Sequence, residues 1–133
     1  MTYELPSAVP EIPVAELGTA LAYYQQQLGF SHDWGDESGG GIAGISQGSC
    51  RLFLADPVFR ERRYGNLAPI LVWLNLSSRL QVDDLHDQWS RAGAKIVSPP
   101  ESKPWKLYEF TAADLDGNVL RVFYDFAWET RGT

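Results

Sequence analysis

Pro104-Trp105-Lys106-Leu107-Tyr108-Glu109-Phe110 and, after Thr111-Ala112-Ala113, Asp114-Leu115-Asp116-Gly117-Asn118-Val119-Leu120-Arg121-Val122-Phe123-Tyr124 decide how this chain folds. Tyr108-Glu109-Phe110 reads as a strand, and Asp116-Gly117 is a strong hairpin-turn signal. Val119 to Tyr124 is β-branched and aromatic enough to be the returning strand. The hairpin sets Trp105 at the mouth of a sheet and places a cation, Arg121, in the returning strand.

Working outward, the second half reads as a strand from Ile70 to Leu76, a helix from about Asp83 to Ala92, and strands near Lys95 to Val97, Tyr108 to Ala112 and Val119 to Tyr124. Asp83 and Asp84 are expected in the first helical turn, where the helix dipole favours anions, with Arg91 in the last turn and Gly93 beyond it. The first half has the same order. A strand near Ala8 to Val14 precedes a helix from about Glu16 to Leu28, followed by strands near Phe30 to Trp34, Ile42 to Gln47 and Arg51 to Ala55. Leu17, Leu21, Tyr24 and Leu28 fall on one helical face, and Gly29 stands where a C-terminal cap belongs. The pattern predicts an α+β fold of two βαβββ modules, about 7–56 and 68–125, with Asp56 to Pro69 as the joint. Neither module can bury a sizeable core alone, so the two are expected to pair around a shared cleft in one domain.

With 133 residues, 44% of them hydrophobic, the chain is ample for one compact domain. Its net charge of −6 disfavours nucleic acid as a partner and favours cationic small molecules. A single cysteine, Cys50, excludes an intrachain disulfide and fits a reducing, cytoplasmic setting. No apolar run approaches the ~18 residues of a membrane span, and the N-terminus has no signal-peptide layout.

Two spellings carry no site. Gly39-Gly40-Gly41-Ile42-Ala43-Gly44 fits a dinucleotide fingerprint, but it follows a polar loop and leads into strand-like alternation instead of a helix. Gly44-Ile45-Ser46-Gln47-Gly48 resembles a nucleophile elbow, yet another strand follows and a hairpin turn accounts for it. His32 reads as a strand or rim residue and His86 as a solvated helix residue; they form no metal-binding pair. Of the five tryptophans, Trp89 reads as core and Trp128 as a tail residue packing on the domain or on a partner. Trp34, Trp73 and Trp105 fall at strand or loop edges, in positions able to face a cleft.

Ser7-Ala8-Val9-Pro10, the helix ending Gln27-Leu28-Gly29-Phe30-Ser31, Asp33 before an aromatic residue, Leu52-Phe53-Leu54, Pro104-Trp105, Glu109-Phe110 and Gly117-Asn118 together resemble the bleomycin resistance proteins. These belong to the glyoxalase/bleomycin resistance/dioxygenase, or vicinal oxygen chelate, superfamily. The resemblance runs from about Ser7 to Tyr124. It implies paired βαβββ modules and a homodimer with sites at the interface, often with the N-terminal strand exchanged. In the metal-dependent lyases, isomerases and dioxygenases of the superfamily, four side chains on set strands hold a divalent ion. Those positions fall on or near Val9, Phe53, the Ile70 to Leu76 strand and Arg121, none of them a usable ligand, with Glu11 a near miss. The antibiotic-binding branch uses no metal or other cofactor and sequesters a cationic, aromatic glycopeptide between aromatic walls. The resemblance carries its ligand-binding role to Asp33, Trp34, Trp73 and Trp105. Ile42, the Gly39-Gly40-Gly41 loop and five extra residues near Ser77 to Gln81 depart from that branch.

Overall fold

The structure, a computed structural model, describes residues 5–36, 39–60, 69–127 and 129. The chain runs β1 (Glu11–Pro13), α1 (Leu17–Gln26), β2 (Ser31–Gly35), β3 (Ile42–Gln47), β4 (Cys50–Ala55), α2 (Pro57–Arg60), β5 (Leu71–Asn75), α3 (Arg79–Arg91), β6 (Lys95–Ser102), β7 (Leu107–Ala113) and β8 (Val119–Asp125). These build two four-stranded mixed sheets, in the orders β1-β4-β3-β2 and β5-β8-β7-β6. In each, the first strand of a module lies parallel to the last, β1 on β4 and β5 on β8, and the remaining pairs are antiparallel. The architecture is the expected α+β pair of βαβββ modules. Of the joint, Pro57–Arg60 forms the short α2, and 61–68 lie outside the described residues, as do Glu37, Ser38 and Trp128.

Period-two alternation sorts the strands. Leu52 and Leu54 of β4 and Ala43 and Ile45 of β3 are buried under α1, covered by Leu17, Leu21 and Tyr24 of the helix and by Leu28 in the turn just beyond it. Leu120 and Val122 of β8 and Phe110 and Ala112 of β7 do the same for the second module, joined by Val82 and Trp89 of α3. All belong to one core. Polar bonds stitch the halves: Tyr23 Oη donates to Ala113 O (2.7 Å), Trp89 Nε1 to Leu28 O (3.0 Å) and Asn118 Nδ2 to Pro13 O (2.7 Å). Each spends the polar end of a buried side chain on the other module, as a buried donor requires.

Several features differ from the sequence reading. Helix α3 starts at Arg79, because Ser78 caps it by accepting from Gln81 N (3.1 Å) while Gln81 Oε1 accepts from Ser77 N (2.8 Å). Asp83 and Asp84 therefore sit in the second turn, and Ser77 to Gln81 form the cap and first turn. Strand β6 runs on to Ser102 through Pro99 and Pro100, which an edge strand with register shifts tolerates. Strand β1 is only three residues long. His86 is half-buried, its ring edge-on to Phe110 at 5.2 Å, and is not a solvated residue.

Candidate functional site

The face of each sheet turned away from the core is the one that carries the rings. In the first sheet Glu11, Phe53, Gly44 and Trp34 stand in register across β1, β4, β3 and β2. A bulge at Asp33 shifts the register between His32 and Trp34, so that His32 pairs with Ile45 while Trp34 comes onto the Gly44 level. The indole of Trp34 then lies across Gly44 and meets Phe53 edge-to-face at 5.0 Å. Position 44 has room for that ring because glycine has no side chain. Arg51 completes this face with its guanidinium 5.8 Å from the Phe53 ring.

In the second sheet Trp73, Arg121 and Thr111 stand in register across β5, β8 and β7, with Phe123 and Glu109 paired one step along. Trp73 packs edge-to-face on Phe123 (5.5 Å), and Arg121 lies over the Trp73 ring with Cζ 4.6 Å from its centroid. Arg121 Nη2 donates to Glu109 Oε1 at 2.7 Å. Glu109 is 1% exposed, so its charge is held in the sheet by that guanidinium. Its other oxygen, Oε2, faces Trp105 Nε1 at 3.5 Å. Trp105 projects from the β6–β7 turn, where Lys106 takes a left-handed φ of 72°. The result is a continuous row: Trp73, Arg121, Glu109, Trp105.

Trp34 is 40% exposed, Trp73 45% and Trp105 54%, against 2% for the core residue Trp89. The structure thus brings Trp73 and Trp105 together through Glu109 and Arg121, and seats Trp34 on the other sheet. Asp33 is exposed at the bulge. A groove of about 940 Å³ runs between the modules, bordered by Cys50 to Leu52, Val72 to Leu76 and the α3 face of Gln81, Leu85 and Gln88. Of the four expected site residues, Trp73 borders it. Burial pushes the Cys50 thiol up, away from a reactive thiolate.

Sequence reading left Phe53, Phe123 and Glu109 out of the site. Their signal was strand parity: Glu109 and Thr111 alternate with the core residues Phe110 and Ala112, as Arg121 and Phe123 alternate with Leu120 and Val122.

The strand positions that the metal-dependent proteins use can be tested against this register. Phe53 stands opposite Glu11, not Val9, and Arg121 stands opposite Trp73. One carboxylate beside a phenyl ring, an indole and a guanidinium does not make a divalent-cation site, because the last three offer no lone pair. Among the described residues no group of three or more His, Cys, Asp or Glu is placed to hold a metal.

The family model for the Glyoxalase/Bleomycin resistance protein/Dioxygenase superfamily matches residues 7–122. Among solved structures, the bleomycin-binding protein of bleomycin-producing Streptomyces verticillus, complexed with copper(II)-bleomycin, is similar at 22% identity over 91% of this chain and 97% of that one, with a TM-score of 0.69. Lactoylglutathione lyase from Agrobacterium tumefaciens is similar at 21% identity, over 94% and 98% of the two chains, with a TM-score of 0.73. A glyoxalase/bleomycin resistance protein/dioxygenase from Nocardioides shares 20% identity over 92% and 85%, with a TM-score of 0.73. Identities this low speak for a shared fold. No curated protein sequence matches the chain.

Proposed function

This chain belongs to the glyoxalase/bleomycin resistance protein/dioxygenase superfamily, and within it we propose a non-enzymatic protein that binds and sequesters a flat, cationic small molecule of the bleomycin type in the cytoplasm. The observation that carries this reading is the set of three half-exposed indoles, Trp34, Trp73 and Trp105, all outside the core. An exposed indole gives up favourable burial area, which a stacked heterocycle restores together with ring–ring attraction. The net charge of −6 adds long-range attraction for a cation. Each chain turns its aromatic faces away from its own core, so a ligand gripped on both sides needs a second wall. A homodimer supplies it, the first sheet of one copy facing the second sheet of the other.

Titration with bleomycin or phleomycin, followed by tryptophan fluorescence and calorimetry, tests the reading. Saturable quenching with a heat of binding is expected, and neither signal at high micromolar ligand rules out the drug-binding role. The metal-dependent lyase, isomerase or dioxygenase alternative predicts stoichiometric metal in the purified protein. The mismatched donor set predicts none, even after supplementation.

A further inference from the structure

Arg121 uses one of its donor groups on Glu109, through Nη2. Among the described residues Nε and Nη1 have no partner; Nε is buried, while Nη1 is not, and 29% of the side chain is exposed. A cation that is already neutralised, held flat against an indole, and still presents a free N–H on the ring-bearing face is arranged to receive an oxygen. We propose that Arg121 is the polar anchor of this face. It takes an acceptor oxygen, a carboxylate or carbonyl carried on a flat aromatic ring, while the ring packs against Trp73 and Phe123. The inference rests on the reading of these faces as a ligand site and adds the chemistry of one end of the ligand.

Three features support it. Arg121 lies at the centre of the face, in register with Trp73 on one side and Thr111 on the other. Glu109 fixes the guanidinium, so little side-chain freedom remains to be lost when a ligand binds. One face of the Trp73 ring is taken by Arg121, so a permanently cationic ring gains less by stacking there than a neutral or anionic one. The positive end of a bleomycin-type ligand would accordingly lie elsewhere in the site.

The probes are quinoline-2-carboxylate, quinoline and N-methylquinolinium, titrated into the full-length protein by calorimetry. Wild type is expected to bind the carboxylate about tenfold or more tightly than either other ring, the size of a hydrogen bond to a charged group. The double variant Arg121→Met/Glu109→Gln removes the pair without stranding a buried charge, and is expected to bind all three alike. Arg121→Lys, which keeps charge and fold but loses the planar fork, should show an intermediate preference. Equal binding of the three probes to wild type, or a preference that survives in the double variant, overturns the proposal. Bleomycin binding without probe selectivity also overturns it, while leaving the sequestration reading in place. Selective carboxylate binding with no bleomycin binding upholds the Arg121 anchor and removes the drug. No binding of any of them removes both.

Discussion

The indole of Trp34 occupies the space that a side chain at Gly44 would fill: a Cβ added there would overlap Nε1, Cε2 and Cδ1 of the ring. Gly44→Ala is therefore expected to push Trp34 off Phe53 into solvent. The expected cost is about 1–3 kcal/mol of stability by overpacking, with a red shift of tryptophan emission that Trp34→Phe abolishes. An unchanged spectrum and melting temperature would show that the ring does not rest there.

Trp105 is more than half exposed and reaches Glu109 only through a long 3.5 Å contact. Its truncation leaves no core cavity. Trp105→Ala should weaken ligand binding by about 1–3 kcal/mol, the size of a lost stacking ring, while barely moving the melting temperature. A drop of roughly 3–5 kcal/mol in folding stability with unchanged affinity would instead place the ring in the core.

Asn118 ties three segments together. Its Nδ2 donates to Pro13 O (2.7 Å) and Asp114 Oδ2 (2.8 Å), and its Oδ1 accepts from Ile70 N (2.9 Å), all in the buried corner where the modules meet. Asn118→Ala leaves a carbonyl and an N–H without partners, each costing about 1–3 kcal/mol. Urea unfolding should register a loss of roughly 3 kcal/mol or more. A loss under about 1 kcal/mol would mean that water replaces the amide.

The module order was legible because strand alternation and helix periodicity agree with the turn signals, as at Asp116-Gly117 and Gly29, whose φ values of 82° and 77° place both in the left-handed region. The start of α3 was hidden because the eye follows acidic residues to the helix N-terminus, whereas here a single serine hydroxyl sets it. In the site, the exposed tryptophans could be picked out one by one. Their grouping could not, since it depends on cross-strand register: the Asp33 bulge decides which face Trp34 takes, and the β7–β8 pairing brings Glu109 to Arg121. Asn118 reads as an ordinary turn residue until its partners 48 and 105 positions away are known.

The same corner makes stability depend on pH through Asp116. Burial raises its carboxyl above the ordinary 3.8, against the lowering effect of the Ala15 N–H that it accepts, and nearby Asp114 adds to the rise. A carboxyl whose folded-state pKa lies above its unfolded value contributes stability that is complete below the unfolded value and is lost as pH rises through the folded one. Ionised Asp116 thus weighs against folding at neutral pH. Asp116→Asn keeps an oxygen for Ala15 N and removes the charge, so the variant should melt higher than wild type at pH 7. The difference should close as the pH falls through the carboxylate range to below about 4, where wild-type Asp116 is protonated in both states. Melting curves across that range read the effect directly. A gap that is absent at pH 7 would mean that the Ala15 hydrogen bond outweighs the burial of the charge, and one that persists undiminished at pH 3 would mean that it does not come from the ionisation of Asp116.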